Sequence, residues 1–129
     1  MKVLPDTSIW VEFFRGENPF ADELERLLTE ETVLLCGPIV AELVAGAPPE
    51  RRPDLSLALG SLPLVALDYA AWRKAGEAAH DLDRLGRAVP LIDLIIGVAS
   101  VTAEATLWTR DRDFERVRDV LPALELYSA

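Results

Sequence analysis

The longest apolar stretch of the chain covers residues 90–102 (PLIDLIIGVASVT), and its length suits a single helix. A helix that is apolar on every side is normally buried. One carboxylate, Asp93, stands inside it. Burying an unpaired carboxylate costs on the order of several kcal/mol. Asp93 is therefore expected to reach a polar opening or to meet a positive charge. Its place in the first turn, after Pro90, also complements the helix dipole.

Shorter patterns surround this helix. Residues 2–6 read as a buried strand, with Pro5 tolerable only near its end. Thr7-Ser8 starts a helix whose apolar positions are Ile9, Trp10, Phe13 and Phe14, and Gly16 ends it. Asn18-Pro19 opens an amphipathic helix carrying Phe20, Leu24, Leu27 and Leu28. Residues 32–36 (TVLLC) form a continuous apolar run typical of a parallel strand. Gly37-Pro38 opens a helix on Ile39, Val40, Leu43 and Val44. Residues 51–62 form another on Leu55, Leu59 and Leu62. A third strand spans 64–67, and Asp68 caps a helix whose stripe is Trp72, Ala75, Ala79 and Leu82, closed by Gly86. Residues 106–109 are a fourth strand, 111–117 a short helical turn, and 124–127 a fifth, edge strand. Strands alternating with helices predict one α/β domain over 1–129. It is expected to be three-layered and Rossmann-like, with a mostly parallel four- to five-stranded sheet covered on both faces.

In such a sheet, strand C-termini and helix N-termini share one edge, where ligands bind. Asp6 ends the first strand, Glu42 lies early in the helix after the second, and Asp93 lies in the first turn of the buried helix. Asp111 and Asp113 follow the fourth strand. All of these acids map to one edge. Each also has a structural reading: a cap for Asp6 or Asp111, a dipole charge for Glu42, an ion pair with Arg110 or Arg112 for Asp113. Together they repel one another, and without a cation some would take up protons. A carboxylate cluster without histidine or cysteine suits Mg²⁺ or Mn²⁺ rather than zinc, and such ions serve phosphate chemistry.

Composition narrows the picture further. With 129 residues, half of them hydrophobic, the chain can build a real core. No apolar run reaches the ~18 residues of a membrane span, and the run after Met1-Lys2 is too short for a signal peptide. The single cysteine, Cys36, reads as a small buried hydrophobe and fits a reducing cytoplasm. A net charge of −9 argues against nucleic-acid binding by bulk charge, though not against a local basic rim.

Four segments, DTSIWVEFFRG (6–16), IVAEL (39–43), IDLIIGVAS (92–100) and TRDRDF (109–114), stand in the order of the acidic motifs of PIN-domain ribonucleases. The chain resembles the VapC-type toxins of that family over essentially its whole length. The resemblance implies a PIN-like fold and a Mg²⁺- or Mn²⁺-dependent endoribonuclease, usually a homodimer, held inactive by a cognate antitoxin. Asp6, Glu42, Asp93 and Asp111 then match the acidic quartet. Asp6 and Asp93 would bind the ion directly, and Glu42 and Asp111 directly or through water. Asp113 supports them, and Thr7 and Thr109 would hydrogen-bond the ligands. Arg15, Arg110 and Arg112 are candidates to grip RNA phosphates. Pro5 departs from the family pattern, which has an aliphatic or small residue there.

His80, mid-helix beside Asp81, suits a surface or subunit contact. Trp10, Trp72 and Trp108 occur at core spacing, although Trp10 and Phe14 could line a groove for an antitoxin helix. Two other functions fit parts of the pattern. One is a non-catalytic interaction module on the same fold. The other is an Asp-centred phosphotransfer or dehalogenase-like domain, which needs a lysine at the active edge, where neither Lys2 nor Lys74 is expected.

Overall fold

The structure, a computed structural model, describes residues 1–128. Five strands alternate with seven α-helices: β1 (Val3–Pro5), α1 (Thr7–Phe14), α2 (Phe20–Thr29), β2 (Leu35–Cys36), α3 (Gly37–Gly46), α4 (Arg52–Gly60), β3 (Leu64–Val65), α5 (Tyr69–Arg84), α6 (Leu91–Thr102), β4 (Thr106–Trp108), α7 (Asp113–Val117) and β5 (Glu125–Leu126). Every strand pair is parallel: β1 with β4, β4 with β5, and β2 with β3. A single parallel bridge, Val3 to Val33, joins the two pieces, so the strands run β3-β2-β1-β4-β5 across the molecule. Helices cover both faces of the sheet in a three-layer α/β/α arrangement.

The strands are shorter than the apolar runs that encode them. Residues 33–36 are apolar because they are buried, but only Leu35 and Cys36 pair in a regular ladder, with Leu64 and Val65. Val33 and Leu34 bend the chain from β1 toward β3: Val3 N–H donates to Thr32 O at 2.9 Å, and Leu34 N–H donates to Val3 O at 2.9 Å. Hydrophobicity reports burial, and ladder pairing is a further condition that this segment meets at its end alone.

Helix α6 is the centre of the core. Leu94, Ile96, Gly97, Val98, Ala99 and Ser100 are all buried, as its all-round apolar pattern requires. It packs along α5 and touches α3, α7 and β4. The buried stripe of α5 is Ala71, Ala75, Ala78 and Leu82; Ala75 and Leu82 are as expected, Ala71 and Ala78 stand in place of Trp72 and Ala79, and Trp72 is 50% exposed. Core spacing at Trp72 was therefore misleading. The small alanines let the α5 backbone approach α6, and an indole on that face would hold the helices apart. Trp10 and Trp108 are buried as expected, while Phe14 at the end of α1 is half exposed.

Gly97 is where α6 meets α7. A Cβ on Gly97 would lie 3.1 Å from Val117 Cγ1 and 3.2 Å from Leu121 Cδ1. Gly97→Leu is expected to overpack this contact and cost about 1–3 kcal/mol. Urea unfolding of the variant against wild type, read as a fall in midpoint at unchanged slope, checks it.

Candidate functional site

The parallel sheet delivers the acids as its topology requires. Asp6 follows β1 and caps α1, and its N–H donates to Trp108 O of β4 at 2.9 Å. It is 6% exposed, yet both carboxylate oxygens are satisfied. Oδ1 accepts from Ser8 N–H, Ser8 Oγ and Ile9 N–H, and Oδ2 accepts from Thr109 Oγ1. Burial raises its pKa and these hydrogen bonds pull it back, leaving it above the ordinary value. Asp6 is thus a helix cap and a wall of the site at once. Pro5 is the last residue of β1, paired with Trp108, and leaves the Asp6 carboxylate at the edge.

Asp93 is the third residue of α6, 8% exposed, and its N–H donates to Pro90 O at 2.9 Å. Burial pushes its pKa up to about 6, and Asp111, Asp113, Glu42 and Asp6, in that order, push the same way. Like charges that all disfavour ionisation of one carboxyl must converge on it. Glu42, exposed on α3, is oriented by Thr7, whose Oγ1 donates to Oε1 at 2.8 Å. Asp111 accepts from Asp113 N–H at 2.9 Å, and its own N–H donates to Thr109 Oγ1 at 2.9 Å.

Asp6, Thr7, Ser8, Glu42, Asp93 and Asp111 line one cleft of about 140 Å³, floored by Ile96 and Phe114. Asp93, Asp111 and Asp113 each offer a carboxylate oxygen, all within 4.8 Å of one another. These three are the tightest candidate ligand set among the described residues, with Asp6 and Glu42 beside it. Asp113, expected only in support, therefore stands with Asp93 and Asp111 in this set. The donors are all hard oxygen, with no histidine or cysteine in the lining, which fits Mg²⁺ or Mn²⁺. In sequence Ser8 marks only a helix start. Its hydroxyl binds Asp6 and accepts from Arg110 N–H at 3.2 Å, joining α1 to the loop after β4. Its place two residues after a strand-end aspartate was the available signal.

The arginines differ in how they are held. Arg110 pairs with Glu12 at 3.2 Å, and Arg15 reaches the same carboxylate at 4.0 Å. Arg112 forms no ion pair among the described residues. Asp113 lies 3.9 Å from Arg116 rather than beside Arg110 or Arg112. Lys2 donates to Glu31 O at the far end of β1, and Lys74 borders a separate apolar depression between α5 and α6. No lysine lines the acidic cleft, as a phosphoacceptor domain would need. His80 is exposed, away from the cleft. Among the described residues no helix is long and apolar enough to cross a membrane.

A sequence profile of the PIN domain matches residues 3–120. VapC ribonuclease Mb1587 of Mycobacterium bovis and ribonuclease VapC11 of Mycobacterium tuberculosis are each 30% identical over 128 residues, covering 88% of this chain and 89% of theirs. The fold is similar to that of VapBC2 from Rickettsia felis bound to a promoter DNA fragment, at a TM-score of 0.78 and 23% identity over 98% of both chains. It is also similar to DNA-bound VapBC from Salmonella typhimurium, at a TM-score of 0.79 and 18% identity over 98% of this chain and 97% of that one.

The Asp93 environment has a thermodynamic consequence. Its folded pKa of about 6 exceeds the ordinary 3.8. Between those values the folded state binds more protons than the unfolded one, so stability falls as pH rises from about 4 to 6 and the full cost persists above. In metal-free buffer at pH 8, Asp93→Asn is expected to be more stable than wild type by about 1–3 kcal/mol, with the gap closing toward pH 4. Urea titrations in EDTA across that range check the sign.

Proposed function

The chain belongs to the PIN-domain family, and we propose that it is a VapC-type, metal-dependent endoribonuclease that hydrolyses RNA phosphodiesters. The observation that carries this reading is the crowding of Asp6, Glu42, Asp111 and Asp113 around the buried Asp93 carboxylate. A cleft that concentrates uncompensated negative charge is built for a cation. Its similarity to the mycobacterial VapC ribonucleases supports the reaction.

Asp93, Asp111 and Asp113 would hold Mg²⁺ or Mn²⁺, with Asp6 completing the set. The ion would supply Lewis acidity toward the phosphoryl oxygens and lower the pKa of water at the site. Thr109 and Ser8 fix the Asp6 carboxylate from both sides, so its geometry is set before substrate arrives. Thr7 holds Glu42 through Oε1, and Oε2 accepts the proton of the attacking water. The water oxygen adds to phosphorus, one P–O ester bond breaks, and the leaving oxygen is protonated from solvent. Ile96 and Phe114 line the base of the cleft and limit access of bulk water there. Before it binds its ion, the acidic cleft repels RNA, so cation and substrate are coupled.

The same reading carries a cognate antitoxin protein as the inhibitor, a homodimer as the assembly and the cytoplasm as the location. The antitoxin is supported by the likeness to VapBC structures from Rickettsia felis and Salmonella typhimurium.

Purified, antitoxin-free protein incubated with total cellular RNA and Mg²⁺ or Mn²⁺ is expected to give discrete fragments on a denaturing gel. EDTA should abolish them, and Asp93→Asn or Asp111→Asn should reduce the rate by about 10²-fold or more. Cleavage that survives Asp93→Asn would place the activity elsewhere. A protein that neither cleaves nor binds metal would be a non-catalytic module on this fold.

A further inference from the structure

We propose that Arg110 is the backbone anchor of this cleft, binding an RNA phosphate that flanks the scissile one. Glu12 is its built-in competitor, orienting the guanidinium until that phosphate displaces it. The inference rests on the ribonuclease reading above.

Arg110 lies between two residues of the site, Thr109, which donates to Asp6, and Asp111. Its own N–H donates to Ser8 Oγ at 3.2 Å, which fixes the backbone against α1. Its side chain is held by two further elements. Nη1 lies 3.2 Å from Glu12 Oε1 on α1, and the guanidinium carbon stands 4.8 Å over the Phe20 ring at the start of α2. Phe20 is backed in turn by Trp108 of β4, with ring centroids 6.4 Å apart. Glu12 follows Ser8 by one helical turn on the same face of α1, about 6 Å along the axis. The guanidinium is thus carried beside the acidic cleft without entering it.

This arrangement suits a phosphate. A guanidinium presents five donors in a planar fork that matches phosphate oxygens, and stacking on an aromatic ring pre-orients it, so less side-chain freedom is lost on binding. The Glu12 pair engages Nη1, and half of the Arg110 side chain remains exposed. Glu12 is only 16% exposed and faces Arg15 as well, at 4.0 Å. Only one Glu12 oxygen engages the half-exposed guanidinium, and a phosphate offers its fork more acceptor oxygens, so a phosphate can replace the pair. Arg15, 68% exposed and at the limit of pairing distance, is not held in this way. In a chain of net charge −9, one pre-oriented cation next to the cleft gives a polyanion a defined register.

The test is fluorescence anisotropy of a labelled random pool of single-stranded RNA over a salt series, with Ca²⁺ replacing Mg²⁺ to hold back cleavage. Arg110→Gln is expected to weaken binding about five- to tenfold and to flatten the slope of log K against log salt by about 0.7. Glu12→Gln is expected to tighten binding about two- to fivefold, and the double variant to bind like Arg110→Gln alone. Arg73→Gln, on α5, serves as the control with unchanged affinity and slope. An unchanged slope in Arg110→Gln, or a Glu12→Gln that weakens binding as Arg110→Gln does, overturns the anchor while leaving the ribonuclease reading intact. Wild-type protein that binds no RNA removes both.

Discussion

Repulsion among carboxylates is the constraint on which the rest of this structure depends. Asp93 is buried in the most apolar helix of the chain and faces four other acids, and every one of those influences opposes its ionisation. The fold pays for this in ways that can be named. The positive end of α6 lies at Asp93, backbone and hydroxyl donors hold Asp6 in place, and Thr7 steadies Glu42. What those devices leave uncompensated is the net negative charge of the cleft, and that residue of charge is the functional feature. A protein selected for stability alone would have an apolar residue at Asp93.

The parallel sheet is what makes the convergence possible. Asp6 leaves β1, Glu42 lies on the helix after β2, Asp93 begins the helix that leads to β4, and Asp111 leaves β4. With β1 and β4 paired side by side, Asp6 and the Thr109–Asp111 segment become neighbours although about a hundred residues separate them. Thr109 and Ser8 then tie that edge together through Asp6 and Arg110. Residues that look like separate caps in sequence are one hydrogen-bonded unit in space.

This explains what was legible beforehand. The alternation of apolar runs and turn residues was enough to place every element, and the edge rule was enough to bring Asp6, Glu42, Asp93 and Asp111 together. Details that depend on side-chain packing were not legible. The α5 stripe takes Ala71 and Ala78 in place of Trp72 and Ala79 because alanines, not an indole, permit close contact with α6. The run at 32–36 is buried from Val33 on but pairs regularly only at Leu35 and Cys36, because pairing depends on where the neighbouring backbone lies. Asp113 joins Asp93 and Asp111 because the turn into α7 is tight, a property of the Asp111 side chain capping Asp113 N–H rather than of any spacing rule. Ser8, Glu12 and Phe20 meet Arg110 from about ninety or more residues away, so no local pattern announces the cluster.

The claim that crowded carboxylates around Asp93 form a divalent-cation site is tested most directly by titrating the metal-free protein with Mn²⁺ and counting free ion by electron paramagnetic resonance. The account predicts saturable binding at pH 7.5 that weakens as pH falls through about 6, where Asp93 takes up its proton, and that is lost in Asp93→Asn. Binding that is absent in wild type, or that is equally strong in Asp93→Asn, would contradict it.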